Sequence, residues 1–266
     1  MDIRTYLFEP LTGELFVAEI SAVESGILCG TEHARSRAAA LGLNLESVAP
    51  EGSLLHSGSP ILRLIGCAED IARGEEELLA CVGKASGVAT AASKLLAQAN
   101  GNVRIVCGAW KKVSPELRQC LRHAIAVGGA GIRLLDQPFV YLDKNYVRMF
   151  GSVKRAVERA RGIDGRTIAV QVRGDTNLIA EEATQALNAG AGVIMVDTGN
   201  VADLRIVVEV VSRKGFRSHV KIAFAGGINS SSLDEVVEAG ADIVEVGREI
   251  IDASILDFRF DVIGRA

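Results

Sequence analysis

The chain has 266 residues, 48% of them hydrophobic and 23% charged, and its 29 basic against 33 acidic side chains leave a net charge of −4. This is a globular composition, long enough to bury a core without disulfide or metal staples, and it excludes wholesale disorder. With no block of basic residues and only 5% aromatics, it also argues against a nucleic-acid scaffold, a base-stacking platform or a polybasic membrane surface.

Cys29, Cys67, Cys81, Cys107 and Cys120 form an odd set at irregular spacing without a C-x-x-C pair, which reads as reduced, mostly buried thiols. His33, His56, His123 and His219 are scattered, and none is read as a metal ligand partnering a cysteine. The opening MDIRTYLFEPLTGEL has no basic stretch leading into an apolar one, and no run approaches the roughly 18 apolar residues of a membrane span. A soluble, cytoplasmic protein is expected.

Up to about residue 100 the segments are mixed. Short β-like stretches at Glu14–Ile20, Gly26–Cys29 and Ser59–Ile65 flank a helical pattern at His33–Leu41. Pro50-Glu51-Gly52-Ser53 and Ser57-Gly58-Ser59-Pro60 supply tight turns. Apolar residues then recur at helical spacing from about Gly74 to Asn100, predicting a long connecting helix. Beyond it, continuous apolar runs predict strands at Val103–Cys107, Ile132–Leu135, Phe139–Leu142, Thr167–Val172, Gly192–Val196, Val220–Ala225 and Asp242–Val246. Helical segments separate most of them: Glu116–Val127, Ser152–Arg161, Leu178–Asn188, Val201–Arg213 and Ser232–Glu238. Gly190 and Gly240 sit where helices need a left-handed stop. Repeated βα units over this length predict a barrel or a doubly wound sheet.

In such folds the working residues lie where strands end. Here those ends carry Trp110-Lys111-Lys112, Asp143-Lys144-Asn145, Gln171 with Arg173, Asp197, Gly226-Gly227 and Gly247-Arg248. Basic, acidic and glycine-rich ends on one rim suggest a phosphorylated ligand. Gly226-Gly227 before a helix would leave bare backbone N–H groups for a phosphate, and Gly247-Arg248 is read as a second such loop. Trp110 fits stacking on a ring and covering the barrel mouth equally well.

At these residues the sequence resembles the quinolinate phosphoribosyltransferase family. Gly83-Lys84-Ala85-Ser86-Gly87-Val88-Ala89-Thr90 is similar to its Q-R-L-S-G-I-A-T helix, and Lys111-Lys112-Val113-Ser114-Pro115-Glu116-Leu117-Arg118 to its R-K-T-x-P-G-x-R. Arg133 falls near its H-R, Asp143-Lys144-Asn145 on its K-D-N, Asp197 on its L-D-N, and Gly226-Gly227 and Val246-Gly247 on its S-G-G and V-G-A.

The resemblance implies an N-terminal α/β sandwich-like domain (1–100, with the connecting helix), followed by an incomplete (β/α) TIM-like barrel of the type II phosphoribosyltransferases (101–256). Residues 257–266 would return to the first domain. It further implies a homodimer or higher oligomer with shared active sites, and transfer of ribose 5-phosphate from phosphoribosyl pyrophosphate to an aromatic nitrogen base. The reaction would use Mg²⁺, which Asp197 would help to hold. Lys112, Lys144, Gln171 and Asp197 would then be the catalytic set. Lys111, Arg118, Arg133, Asn145, Arg173 and Glu76 would bind substrate, and Gly226, Gly227, Gly247 and Arg248 the phosphate.

Several positions depart from the family. Glu76 replaces the arginine of its E-R-T-A-L-N, Lys111 replaces an arginine, Ile132 a histidine and Gln171 the glutamate of E-V-E, while Asp143-Lys144 exchanges two charges. The ribose-phosphate end is kept and the dicarboxylate end rebuilt, so the acceptor is either quinolinate or another heteroaromatic base. The alternatives are a different phosphate-binding barrel enzyme, an isomerase or lyase, and a non-catalytic nucleotide-binding relative.

Overall fold

The computed structural model describes residues 3–266. In chain order it places α1 (Ile3–Leu7), β1 (Leu15–Ala22), β2 (Gly26–Ile27), α2 (Thr31–Ala40), β3 (Asn44–Val48), β4 (Leu54–Leu55), β5 (Pro60–Cys67) and α3 (Ala68–Ala99). Then come β6 (Arg104–Val106), α4 (Pro115–Val127), β7 (Phe139–Leu142), α5 (Lys144–Phe150), α6 (Val153–Ala160), β8 (Thr167–Val172) and α7 (Ile179–Ala189). The rest are β9 (Val193–Asp197), α8 (Val201–Arg213), β10 (Lys221–Ala225), α9 (Ser230–Glu238), β11 (Ile243–Glu245), α10 (Arg248–Ile251) and β12 (Phe258–Arg265). These elements form two compact units. One takes the chain up to Lys94 with Val113–Gly129 and Ile250–Ala266, and the other takes Leu95–Lys112 and Ala130–Glu249. The units are interleaved in sequence, so α4 groups with the first rather than with the parallel strands on either side of it.

The first unit rests on an antiparallel sheet in the order β12-β1-β5-β3. Ile20 of β1 faces Phe260 on one side and Leu62 on the other. Alternate residues Ala18, Ile20, Leu62 and Leu64 are buried with Ala34 and Ala38 of α2 and Leu78 and Val82 of α3, as a one-faced antiparallel sheet requires. Two glycines inside α3 are steric necessities. A Cβ at Gly87 would lie 1.9 Å from the Ser254 carbonyl oxygen, and one at Gly83 2.9 Å from Ile255 Cγ2. Glycine costs about 1 kcal/mol against alanine in a helix interior, and here it lets the C-terminal segment pass against the helix.

The second unit is a parallel six-stranded sheet in the order β6-β11-β10-β9-β8-β7. Each strand from β7 to β11 lies beside its predecessor, and β6 follows β11. This one-way winding belongs to a barrel, because a doubly wound sheet reverses partway. Val106, Ala169, Val193, Met195, Ala223, Ala225 and Ile243 fill the interior. Gly190 and Gly240 both stop their helices at φ +93°.

Two expectations fail in this unit. Ile132–Leu135 is not a strand: pairing stops after a single parallel bridge between Val106 and Gly131. The Ile132 carbonyl instead accepts the Trp110 indole N–H at 3.2 Å, and Leu134 and Leu135 pack into the interior, so the apolar run serves packing rather than pairing. No helix was expected between β7 and Ser152, yet α5 begins directly after the strand because Asp143 caps it, its side chain accepting from the N–H groups of Asn145 and Tyr146. Among the described residues no helix is long and apolar enough to cross a membrane.

Candidate active site

The ends of β8 and β9 carry a connected polar network. Gln171 is buried; its Nε2 donates to Asp197 Oδ2 and its Oε1 accepts the Lys144 backbone N–H at 2.6 Å. Arg173 donates through Nη1 to the Asp197 carbonyl and lies 3.0 Å from Asp197 Oδ2. Its Nε is buried without a hydrogen-bond partner. The loop carrying Arg173 is held from beneath by Glu182, which is 1% exposed. Oε2 of Glu182 accepts the N–H groups of Arg173 and Gly174, each at 2.9 Å, while Oε1 accepts Thr176 N–H and Oγ1, each at 2.8 Å.

The ends of β6 and β11 add a carboxyl and two lysines. A Cβ placed on Gly108 would lie 2.7 Å from Glu245 Oε1 and 3.9 Å from Lys111 Nζ, so both side chains crowd the loop after β6. Burial raises the Glu245 pKa above the ordinary carboxylate range; Lys111 opposes that and the nearby Asp197 reinforces it. Tyr141 on β7 is likewise pushed up, first by burial and then by Glu245, Asp197 and Asp143, so its phenol keeps its proton. Burial lifts Cys107 to about 11, leaving a thiol rather than a nucleophilic thiolate at neutral pH. Lys111 Nζ stands 5.8 Å from the centre of the Trp110 ring.

The glycine loops differ from each other. Gly226, at φ +117°, is glycine because a Cβ would lie 2.4 Å from the Gly199 nitrogen; Gly227, at φ +82°, has nothing within 4 Å of that position. The following helix α9 is capped by Asn229, and the Ser230 N–H donates to the Glu249 carboxylate at 2.6 Å. An incoming phosphate would therefore meet a carboxylate already seated at that helix start. Gly247 does not repeat the first loop, since it precedes only the four-residue helix α10.

The expected residues thus separate into groups. Lys111, Gln171, Arg173 and Asp197 belong to one polar network with Glu245, and Lys144 enters it through its backbone N–H to Gln171. Lys112 joins it through its pull on Glu245. Asn145 contributes its backbone N–H to the Asp143 cap, and the Arg133 guanidinium lies 5.3 Å from the Phe139 ring centre. Glu76 and Arg118 fall in the other compact unit. Glu76 is largely exposed and paired with Arg4 at 2.5 Å, and Arg118 Nε donates to the Val113 carbonyl at 3.1 Å. Glu245, Tyr141 and Glu182 escaped the sequence reading. Glu245 was nonetheless marked by being a charge inside the apolar run Ile243-Val244-Glu245-Val246.

Comparison with known proteins agrees with this architecture. The family profile for the quinolinate phosphoribosyl transferase N-terminal domain matches residues 2–86, and that for the C-terminal domain residues 88–261. A probable nicotinate-nucleotide pyrophosphorylase (carboxylating) of Methanothermobacter thermautotrophicus is 26% identical over 254 residues, covering 95% of this chain and 90% of its own. The Homo sapiens nicotinate-nucleotide pyrophosphorylase (carboxylating) is 28% identical over 244 residues, covering 91% and 80%. Two solved structures share the fold. The nicotinate-nucleotide pyrophosphorylase from Pyrococcus furiosus matches with TM-score 0.84 at 21% identity, over 99% of this chain and 73% of that one. The one from Francisella tularensis matches with TM-score 0.80 at 23% identity, over 98% and 94%.

Proposed function

The chain belongs to the quinolinate phosphoribosyltransferase family, and from that premise we propose that it transfers ribose 5-phosphate from phosphoribosyl pyrophosphate to a heteroaromatic base less anionic than quinolinate, releasing pyrophosphate. The observation that carries this reading is the mixed-charge network at the strand ends, where Lys111 and Arg173 stand with Asp197 and Glu245. Breaking the anomeric C–O bond builds positive charge on the ribose and negative charge on the departing pyrophosphate. Asp197 steadies the first, with Gln171 and Arg173 fixing its orientation. Lys111, Lys112 and Lys144 attract the second. The unpartnered Nε of Arg173 is a donor that an anionic ligand would satisfy.

Mg²⁺ prefers hard oxygen donors. Asp197 and Glu245 offer them, with Asp197 Oδ2 already engaged by Gln171 and Arg173 and Oδ1 left to a cation. The residues therefore fit the ion, which when bound would neutralise charge on the pyrophosphate.

Two features bear on the acceptor. An isolated carboxylate at position 76 would repel a ring carboxylate about 4 Å away by about 4 kcal/mol at an effective dielectric near 20. Glu76, however, is exposed and already neutralised by Arg4, so its influence is small. The half-buried Glu245 is the stronger determinant: a second ring carboxylate brought beside it and Asp197 meets two acidic groups whose neighbouring lysines, Lys111 and Lys112, already act on Glu245. The test is pyrophosphate release by the purified chain from phosphoribosyl pyrophosphate and Mg²⁺ with quinolinate, nicotinate and nicotinamide in turn. A higher kcat/KM for a mono- or uncharged ring supports the reading. Preference for quinolinate overturns the acceptor assignment. No release with any base, together with no thermal protection by phosphoribosyl pyrophosphate, overturns the transferase itself.

A further inference from the structure

The first unit collects three different metal-ligating side chains that lie far apart in sequence. Cys29 Sγ, a Glu51 carboxylate oxygen and a His123 ring nitrogen all lie within 4.8 Å of one another. No histidine was expected to partner a cysteine, and the fold nonetheless brings His123 beside Cys29; Cys120, three residues before His123 on α4, lies on the same face of that helix.

Each donor is held by its surroundings. The Cys29 backbone is pinned to α3, its N–H donating to Ser86 Oγ at 2.9 Å and its carbonyl accepting from the same hydroxyl at 3.2 Å. The next residue, Gly30 at φ +101°, packs so tightly that a Cβ would lie 2.2 Å from the Cys81 carbonyl oxygen. Glu51 is fixed by the N–H groups of Gly30 and Thr31, each at 2.8 Å, and by Thr31 Oγ1. His123 Nε2 stands 2.9 Å from Glu51 Oε1 on the exposed side of α4.

We propose that Cys29, Glu51 and His123 form a binding site for a zinc-class divalent cation, independent of the phosphoribosyl chemistry. Sulfur, imidazole nitrogen and carboxylate oxygen are the donors zinc takes, and three protein ligands leave a fourth position open. On binding, the Cys29 thiol releases its proton to solvent, the imidazole coordinates through Nε2 with its proton on Nδ1, and Glu51 binds as the carboxylate it already is. One thiolate and one carboxylate then balance the two positive charges, so this half-buried site carries no net charge. Cys120, within electrostatic reach of both Cys29 and Glu51, brings a further thiol to the same neighbourhood.

The test uses the full chain, stripped with a chelator under a non-thiol reductant and titrated with Zn²⁺ against a chromophoric competitor, then with Co²⁺. One equivalent of tightly held Zn²⁺, and a near-ultraviolet thiolate-to-cobalt band, are expected. His123→Ala, an exposed change that leaves the core intact, should weaken Zn²⁺ binding at least tenfold, since even outer-shell losses cost roughly 10–100-fold. Cys29→Ser should abolish the thiolate-to-cobalt band while the far-ultraviolet circular dichroism stays native. Failure of the folded wild-type chain to compete for Zn²⁺, or binding unchanged in both variants, would overturn the proposal.

Discussion

Glu182 gives the sharpest test of how the candidate site is held. Its buried carboxylate accepts four hydrogen bonds of 2.8–2.9 Å, from the N–H groups of Arg173, Gly174 and Thr176 and from the Thr176 hydroxyl. In Glu182→Gln one oxygen becomes an NH₂ group. With that group at the Oε2 position, the N–H donors of Arg173 and Gly174 face another donor; with the amide flipped, the Thr176 N–H meets that conflict while its hydroxyl can turn to accept. Either way at least one charge-assisted bond is lost outright, worth about 1.5–3 kcal/mol, and all the remaining ones become neutral. A loss of about 3–5 kcal/mol follows, a large share of an ordinary domain's 5–15 kcal/mol. Urea unfolding of wild type and variant, compared at equal m-value, measures it. The loop after β8 should also lose its hold on Arg173, so the affinity for phosphoribosyl pyrophosphate should fall together with stability. Unfolding free energies within 0.5 kcal/mol of each other would refute the reasoning, because that is the scale of an ordinary surface change.

Gly87→Ala should destabilise despite alanine's better helix propensity: a Cβ 1.9 Å from the Ser254 carbonyl forces the backbone apart, and overpacking of this kind costs about 1–3 kcal/mol or more, measurable by thermal melting. Glu51 has its pKa lowered to about 2; burial works against ionisation, but hydrogen bonds from the Thr31 hydroxyl, the backbone N–H groups of Gly30 and Thr31, and Cys29 outweigh it. Its folded pKa lies below the ordinary 4.5, so its contribution is full above that value and is lost as the pH falls toward 2. Metal-free unfolding at stepped pH should show a decline of about 3 kcal/mol over that window which Glu51→Gln lacks. Lys112→Ala should weaken binding of phosphoribosyl pyrophosphate, and more so at low salt where an exposed charge is least screened; calorimetric affinity unchanged at both salt levels would remove Lys112 from the site.

The parallel unit was legible because strands buried on both faces leave unbroken apolar runs, and because Gly190 and Gly240 punctuate its helices. The same rule misread Ile132–Leu135, where an apolar run fills the interior instead of joining a ladder; periodicity reports burial, not hydrogen bonding. Gln171 and Asp197 were visible as polar residues at strand ends. Glu245 was equally visible and passed over, being taken as part of its strand. Asp143 stood in the sequence as one of the strand-end charges, and the structure shows that it starts α5. The Cys29, Glu51 and His123 cluster was not legible, since nothing local links three residues contributed by a strand exit, a turn and a helix.

The pairing of β1 with β12 has a consequence for the order in which the chain assembles. Ile20 finds its partner at Phe260, 240 positions later, so β1 stays an open edge until every intervening element has been made. The parallel strands β7 to β11 pair with near neighbours in sequence and pay a smaller loop-closure entropy. The barrel unit can thus consolidate on the ribosome while the N-terminal sheet still waits for its fourth strand. During that interval β1 presents unpaired N–H and C=O groups, the kind of edge on which other chains add. The strand that closes the first sheet is therefore made after every strand of the barrel unit, and chaperone capture of the nascent chain should centre on β1.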